Sequence, residues 1–231
     1  MKSIGLLGGM SWHSSQEYYQ IINEKIKEKL GGLHSAKIVL FSVDFEEVVQ
    51  LQLQGNWEKM ADIMIDAAKR IEKAGADLLL ICANTTHKVA DEVAEKVTIP
   101  LLHIADSTAE KIKEKNLRKV GLLGTKFTME EEFYTKRLAE KHELSVIIPT
   151  EEERQIIHDI LYKELAFGEI KDSSKEKYLV VIQHMIEEGA EGIILGCTEI
   201  PLLVKQEDVK VPVFNTTEIH AISAIDFALK E

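Results

Sequence analysis

Two cysteines are the residues of this sequence whose type and setting are best suited to chemistry. Cys82 and Cys197 lie near the ends of two similar stretches, GADLLLICANTTH and GAEGIILGCTEIP. The aliphatic residues before them, Leu78–Ile81 and Ile193–Leu195, predict strands that are buried on both faces, as in a parallel sheet. Open α/β sheets bind ligands at the carboxyl ends of their strands, so we expect both thiols at such ends. Two equivalent thiols could serve as acid and base towards a shared cleft.

Three other roles for the cysteines are simple core packing, a disulfide bond and a zinc site. Both cysteines occupy the same position in a repeated unit, and both precede a predicted helix N-terminus, where the helix dipole lowers the pKa of a thiol. A disulfide is disfavoured because two cysteines without a targeting segment suggest a reducing compartment. The spacing includes no CxxC pair or nearby Cys/His pair for zinc. We therefore predict two free, reactive thiols and no metal site.

The chain repeats itself in two halves. The segment RKVGLLGT echoes KSIGLLGG, with 116 positions between Gly5 and Gly121, and 115 positions separate Cys82 from Cys197. Nearly equal shifts indicate an internal duplication, and the period is far too long for a solenoid. The pattern predicts an α/β fold of two pseudo-symmetric Rossmann-like lobes with parallel sheets, and an active site in the cleft between them.

The duplication also predicts domain boundaries. The N-terminal lobe is expected to span residues 1–105 and to be completed by a C-terminal helix over 215–231, while the C-terminal lobe spans 106–214. Apolar residues at helical spacing predict a helix from about Trp57 to Lys73. The sequence also predicts helices over 85–96 and 129–142 and a short strand over 100–104.

Composition limits the classes of partner. The 231 residues are 45% hydrophobic and carry a formal net charge of −11, which is typical of a soluble globular protein. Without a basic patch that includes aromatic residues, nucleic acid is not an expected partner. No apolar run approaches the ~18 residues of a membrane span, and the amino-terminal apolar segment is too short for a signal peptide. We expect a cytoplasmic protein that does not associate with membranes.

Polar residues follow each predicted strand end and could bind a small anion. Asn84 and Thr85 follow Cys82, while Thr198 and Glu199 follow Cys197. Such residues often cap helices, and they could also present donors to a carboxylate. The glycines after the first strand of each half do not form a GxGxxG motif, so a dinucleotide site is not indicated. The histidines are scattered, and we expect most of them at the surface or behind the ligand-contacting residues.

At the level of whole motifs, the sequence resembles a known enzyme family. GLLGGMSWHSSQEYYQIIN, CANTTH and LGCTEI are similar to motifs of the aspartate/glutamate racemase family, and most similar to its broad-specificity amino-acid racemase branch. The resemblance covers essentially the whole chain. Glutamate racemases of cell-wall synthesis resemble it less, because they usually have GCTHYP where this chain has Glu199 and Ile200.

The resemblance implies a cofactor-independent amino-acid racemase or epimerase that forms a homodimer. In this family one cysteine thiolate removes the α-proton and the other cysteine, as a thiol, protonates the opposite face. Cys82 and Cys197 match these catalytic positions, and because both thiols are present we expect action on both enantiomers. The substrate would be aspartate, glutamate or a broader set of amino acids.

The resemblance also implies a set of substrate-binding residues. Glutamine at position 52 and glutamate at position 164 depart from the arginine and lysine of some aspartate racemases, which argues against strict aspartate specificity. The residues at the matching positions are Met10, Ser11, Trp12, Gln52, Asn84, Thr85, Thr125, Glu164, Thr198 and Glu199.

Two other functions remain open from the sequence. Related enzymes of the same superfamily act as isomerases or lyases on a small diacid such as maleate, using one or both cysteines for other chemistry. A small-molecule binding module with inert thiols is the non-enzymatic alternative.

Overall fold

The computed structural model describes residues 1–230, so the final residue of the predicted helix 215–231 lies outside the described part. The chain divides into two compact units. One comprises Met1–Ile104 together with the chain from Thr217 onward, and the other comprises Ala105–Thr216. Each unit contains a parallel sheet and helices, which confirms the predicted α/β class. No helix within residues 1–230 is long and apolar enough to cross a membrane.

The first unit is built on three parallel strands in the order β2-β1-β3. Both faces of its β3 strand are buried. Leu79 and Ile81 pack in one apolar cluster, whereas Leu78, Leu80 and the following Cys82 pack in a second cluster on the other face. The elements of this unit are β1 (Ile4–Gly8), α1 (Trp12–Leu30), β2 (Ile38–Ser42), α2 (Phe45–Leu53), α3 (Trp57–Lys73), β3 (Leu78–Ile81), a 3-10 helix (Thr85–Val89) and α4 (Ala90–Ala94).

The second unit repeats this plan with one more strand. Its four parallel strands lie in the order β5-β4-β6-β7, and the bridge between Leu79 and Leu101 takes the place of the fourth strand in the first unit. Its elements are α5 (Ile104–Glu114), β4 (Lys119–Gly124), α6 (Lys126–Glu130), α7 (Glu132–His142), β5 (Ser145–Ile147), α8 (Glu151–Lys163), a 3-10 helix (Leu165–Phe167), α9 (Asp172–Glu187), β6 (Ile193–Gly196), α10 (Ile200–Leu203), a 3-10 helix (Gln206–Asp208) and β7 (Val213–Asn215).

The final helix α11 (Thr216–Leu229) packs on the first unit. Its Ala228 carbonyl accepts a hydrogen bond from the Lys2 backbone N–H at 2.9 Å, and its Ala224 and Ile225 lie in the cluster around β1 and β3. The equivalent helix α5, which the sequence analysis did not predict, lies almost entirely in the second unit. Each half of the duplicated sequence therefore ends with a helix that packs on the other half.

Three predicted elements are wrong in part. Residues 85–96 form a 3-10 helix followed by the short α4, not one α-helix. The helix over 129–142 is interrupted at Glu131, whose extended backbone (φ −89°, ψ 146°) separates α6 from α7. The strand over 100–104 is reduced to the Leu79–Leu101 bridge. The spacing of apolar residues along the chain does not reveal these interruptions, because they depend on tertiary contacts.

A charged cluster attaches α5 to α7 within the second unit. Arg137 donates two hydrogen bonds to the Asp106 carboxylate, both at 2.8 Å. Lys141 donates at 2.6 Å, and the His142 ring nitrogen lies 2.8 Å from the same group. Burial alone would raise the pKa of the Asp106 carboxyl, but these hydrogen bonds outweigh burial and lower it.

We expect Asp106→Asn to lower the free energy of unfolding by about 2 kcal/mol at pH 7, because three cationic or polar partners lose a charged acceptor. A carboxyl with a depressed folded-state pKa stabilises the protein above its unfolded pKa of about 4, and that stabilisation is lost as the pH falls further. The difference between variant and wild type should therefore shrink in acid. Urea unfolding between neutral and acidic pH measures this.

The matched control is Asp66→Asn, because Asp66 pairs with Arg70 on one helix turn with both side chains more than half exposed. We expect a much smaller loss there, because solvent screens an exposed ion pair. Equal effects of the two substitutions would contradict the importance of the Asp106 cluster.

Candidate active site

Cys82 is held at the carboxyl end of β3 by its backbone. Its N–H donates to the Leu7 carbonyl at 2.9 Å, and its carbonyl accepts from the Ser14 hydroxyl at 2.6 Å. The first bond continues the β1–β3 ladder, and the second attaches the cysteine to the first turns of α1. The side chain is fully buried. This confirms the predicted position of Cys82 at a strand end.

The loop after β1 carries three of the predicted substrate-binding residues. Met10 is buried, and its sulphur accepts from the Thr86 hydroxyl at 3.2 Å. Ser11 precedes α1, and its buried hydroxyl oxygen has no hydrogen-bond partner within the described residues. Trp12 is 61% exposed and stacks on His13. A buried hydroxyl without a partner is costly, so Ser11 is suited to bind a polar ligand group.

The other candidates of the first unit lie in two places. Asn84 is the N-cap of the 3-10 helix that follows Cys82 and Thr85 is its first residue, and both are buried. Gln52 is buried on α2, where its amide nitrogen lies 3.8 Å from the Met60 sulphur. Amide and hydroxyl groups at the start of a helical segment can donate to a carboxylate. None of these side chains carries a positive charge.

Cys197 follows β6 as Cys82 follows β3, but its thiol has a charged neighbour. Its Sγ donates to Oε2 of Glu199 at 2.9 Å, and the Thr198 hydroxyl donates to the same oxygen at 2.8 Å. The Cys197 side chain remains partly exposed.

Thr125 follows β4 and caps α6, where its hydroxyl accepts from the Thr128 backbone N–H at 3.2 Å.

Glu164 is engaged between α8 and α9. Its carboxylate accepts from the Ser174 hydroxyl at 2.5 Å and lies 3.6 Å from the Lys171 ammonium nitrogen. Two tyrosines that the sequence did not point to, Tyr162 and Tyr178, have pKa values raised first by burial and then by the charge of Cys197. Their only signal in the sequence was a place on the apolar faces of α8 and α9.

Both cysteines have raised pKa values, contrary to the predicted lowering. Burial raises the pKa of the Cys82 thiol, and burial together with the Glu199 carboxylate raises that of Cys197. The expected helix dipoles are weak. A 3-10 helix follows Cys82, and the α10 helix after Cys197 has only four residues. Desolvation of the thiolate therefore outweighs the dipole.

We expect iodoacetamide to label both thiols slowly at pH 7 in the free protein, because the thiolate is the reactive form. Labelling should accelerate as the pH rises well above the ordinary thiol pKa of about 8.5. Cys197 should react before the fully buried Cys82. Mass spectrometry of tryptic peptides over a pH series measures both rates, with urea-unfolded protein as the control. Fast labelling of both thiols at neutral pH would contradict this expectation.

Three histidines form a buried cluster in the first unit, where histidines were expected either at the surface or behind the ligand-contacting residues. His87 donates from Nδ1 to the Ala83 carbonyl at 2.7 Å and accepts from the Ile104 backbone N–H at 3.2 Å. The rings of His103 and His220 lie 4.6 and 5.7 Å from His87. Burial lowers the pKa of His220 to about 4, so this ring is neutral at pH 7.

The sequence did contain a signal for His220. It shares one helical face with Ala224 and Ala228, four and eight residues later, which places it on the apolar side of α11. Within residues 1–230, no group of three His, Cys, Asp or Glu side chains is arranged to hold a metal ion.

Comparison with known proteins places the chain in a family. A family-wide sequence profile described as Asp/Glu/Hydantoin racemase matches residues 7–224. The broad specificity amino-acid racemase RacX of Bacillus subtilis is 24% identical over 172 residues, which cover 73% of this chain and 72% of RacX.

Two crystal structures match the full length of both chains. A Yersinia pestis protein, assigned only provisionally as an Asp/Glu racemase, is 50% identical with a TM-score of 0.95. An aspartate racemase homologue from Pyrococcus horikoshii OT3 is 42% identical with a TM-score of 0.88. With the profile match over nearly the whole sequence, these similarities lead to one conclusion: the chain belongs to the Asp/Glu/hydantoin racemase family and is an enzyme of the racemase class.

Proposed function

We propose that the protein inverts the α-carbon of an amino acid by a two-base mechanism that uses Cys82 and Cys197 and no cofactor. The observation that supports this most directly is the equivalence of the two thiols. Each cysteine follows the third strand of a duplicated parallel sheet, β3 in one unit and β6 in the other. Inversion requires an acid and a base on opposite sides of one carbon, and a duplicated fold supplies two such groups.

In this mechanism one thiol must be ionised when the substrate is bound. Burial disfavours the thiolate in the free protein, but the α-ammonium group of an amino acid would bring a positive charge and lower the pKa of a neighbouring thiol. The α-carboxylate carries the charge that develops when the proton leaves. Fixed donors such as the unpartnered Ser11 hydroxyl and the backbone N–H groups of the Asn84–Thr85 turn are suited to hold it.

The proposed substrates are aspartate, glutamate or a broader set of amino acids. The buried Gln52 and the buried hydroxyl oxygen of Ser11 are neutral, so they could form hydrogen bonds with several side chains and do not demand a carboxylate. The Glu164 carboxylate is negatively charged and pairs with Lys171, so it does not offer a positive charge to a substrate carboxylate. These features favour a wider range than strict aspartate specificity.

We also propose that the enzyme is a cytoplasmic homodimer. Exposed apolar side chains on α1, β2 and α2 of the first unit support a dimer, since Tyr19, Leu40 and Leu53 are 52%, 44% and 68% exposed. Light scattering of the purified protein at several concentrations tests the oligomeric state.

Proton NMR in heavy water tests the proposed reaction. The panel would hold L- and D-forms of aspartate, glutamate, lysine, ornithine, arginine and homoserine. We expect the α-proton signal of at least one member to disappear while its enantiomer forms, and a variant without both thiols to give neither change. If no amino acid exchanges while a diacid such as maleate is converted, the related isomerase or lyase function is correct instead. If no compound reacts but one raises the melting temperature, the protein is a binding module.

A further inference from the structure

A buried histidine holds the turn that follows Cys82. Nδ1 of His87 lies 2.7 Å from the carbonyl oxygen of Ala83, the residue directly after the cysteine, and Nε2 lies 3.2 Å from the backbone nitrogen of Ile104. The His87 side chain is buried, and Ile104 is the first residue of α5. One ring therefore connects the turn that carries the thiol to the start of a helix.

The two partners fix the protonation state of the His87 ring. The backbone nitrogen of Ile104 can only donate, so Nε2 must be the acceptor. The carbonyl of Ala83 can only accept, so Nδ1 must carry the proton. The ring of His103 packs against this neutral tautomer, with 4.6 Å between the ring centroids. A packed ring with both nitrogens engaged has a single orientation.

The backbone on the carboxyl side of Cys82 is attached to two side chains. The Cys82 carbonyl accepts from the Ser14 hydroxyl at 2.6 Å, and the next carbonyl, that of Ala83, accepts from His87. The 3-10 helix that follows has no side-chain hydrogen bond from its N-cap, Asn84. The orientation of the peptide groups around Cys82 determines where its thiol points, so the bond from His87 contributes to that direction.

The second unit has a different residue at the equivalent position. The duplication relates Cys82 to Cys197 by 115 positions, so His87 corresponds to Leu202. Leu202 is exposed, and its side chain cannot form a hydrogen bond. The Cys197 carbonyl accepts instead from the backbone N–H of Ile200 at 3.3 Å. Support by a histidine ring is therefore specific to Cys82.

We propose that His87 is a positioning residue for Cys82, and that its bond to the Ala83 carbonyl keeps the thiol in the orientation that proton transfer requires. This inference rests on the proposed two-thiol racemisation. His87 itself transfers no proton to the substrate, because both of its nitrogens are engaged by backbone groups. Proton transfer is sensitive to placement, since an error of about 1 Å can cost on the order of 100-fold in rate.

Asparagine and glutamine separate the two bonds of the ring. The amide nitrogen of asparagine matches Nδ1, whereas the longer glutamine places its amide group near Nε2. His87→Asn therefore keeps a donor for Ala83 and loses the acceptor for Ile104, and His87→Gln does the reverse. Each variant leaves one buried backbone group unpaired, so both should lower the melting temperature to a similar extent. Only His87→Gln should disturb the thiol.

Isotope exchange in single-cysteine variants tests the proposal. Cys197→Ala leaves α-proton exchange to Cys82, and Cys82→Ala leaves it to Cys197. NMR in heavy water would follow the panel member that reacts fastest. In the Cys197→Ala background, we expect His87→Gln to slow exchange about 30-fold and His87→Asn to slow it less than about threefold. In the Cys82→Ala background, neither substitution should slow exchange more than about threefold.

Tyr18→Phe is the matched control for loss of a buried hydrogen bond. The Tyr18 hydroxyl lies 2.8 Å from Nδ1 of His220, which belongs to the same buried histidine cluster. This substitution keeps the aromatic ring and leaves Ser14 and His87, which bond to the carbonyls of Cys82 and Ala83, in place. It should lower the melting temperature and change exchange in either background by less than about twofold.

Three outcomes would overturn the inference. Equal slowing of both backgrounds by His87→Gln would show a general structural role. Equal slowing by His87→Asn and His87→Gln would show that the bond to Ala83 is not the one that acts. No effect of His87→Gln would show that the ring does not position the thiol. Failure of the proposed function is distinguishable, because both single-cysteine variants would then racemise at the wild-type rate.

Alkylation provides a readout that does not depend on turnover. With both cysteines present, we expect His87→Gln to raise the rate of iodoacetamide labelling of Cys82 about tenfold, since a lost hydrogen bond favours opening of the turn by about that factor. Labelling of Cys197 should not change, and His87→Asn should leave both rates at the wild-type value. An unchanged Cys82 rate in folded His87→Gln protein would contradict the proposal.

A measurement on the wild-type protein does not require any variant to fold. Long-range proton–nitrogen NMR of protein that contains ¹⁵N-labelled histidine distinguishes protonated from unprotonated ring nitrogens. The His87 ring would be assigned through its proximity to the Ile104 amide proton. We expect a proton on Nδ1 and none on Nε2. A ring protonated at Nε2 would rule out the bond to Ile104 and overturn the inference.

Discussion

Replacing either Cys82 or Cys197 with alanine is expected to reduce the rate of racemisation by about 10³-fold, since each thiol supplies one of the two proton transfers. A single-cysteine variant can still remove and return a proton on one face of the α-carbon. It should therefore retain exchange of one enantiomer with solvent deuterium while losing inversion. Chiral chromatography measures inversion, and NMR in heavy water measures exchange on the same samples.

The pattern across the two variants is more informative than either rate. Cys82→Ala and Cys197→Ala should retain exchange of opposite enantiomers, and the double variant should exchange neither. Circular dichroism melting checks that the fold survives, because Cys82 is fully buried and its removal leaves a small void. Inversion at the wild-type rate by both single variants would refute the two-thiol mechanism.

Replacing Gly9 with alanine is expected to destabilise the protein by about 2–4 kcal/mol and to abolish activity, because strain and overpacking act together. Gly9 has a φ of +100°, and an added Cβ would overlap the backbone carbonyl oxygen and amide nitrogen of Val43. Backbone atoms cannot move aside without disturbing the Val43–Gly8 hydrogen bond. The displaced loop carries Met10 and Ser11, so substrate binding should fail as well. Urea unfolding and the racemisation assay measure the two effects.

Gly75→Ala separates backbone strain from steric overlap. Gly75 has a similar φ of +92°, but an added Cβ there would meet no atom within 4 Å. We expect a loss of only about 1 kcal/mol from the left-handed conformation and full activity. If both glycine variants behave alike, the close approach of Gly9 to Val43 has no energetic consequence.

Much of the fold was predictable from local patterns. The runs Leu78–Ile81 and Ile193–Leu195 are continuous aliphatic stretches bounded by small residues, and the structure contains strands at both places. The helix Trp57–Lys73 was equally clear from apolar residues at helical spacing. Such elements are predictable because a strand buried on both faces, or a helix with one apolar face, imposes its period on neighbouring residues.

Other elements depended on contacts between distant residues. Helix α5 is short and has a strongly polar face, and its position is defined by Asp106 and its partners on α7. The helix predicted over 85–96 became a 3-10 helix in which His87 bonds to Ala83 and Ile104. Local periodicity contains no information about these partners.

The sequence by itself determined the family motifs, the duplication and the location of Cys82 and Cys197 at strand ends, because these follow from residue order and hydrophobic period. Only the tertiary structure decided the electrostatic state of the two thiols. Helix dipoles inferred from the sequence predict lowered thiol pKa values, whereas burial raises both. Burial and the orientation of Glu199 towards Cys197 depend on how helices and strands pack in three dimensions, and desolvation of a charge then outweighs the field of a short helical segment.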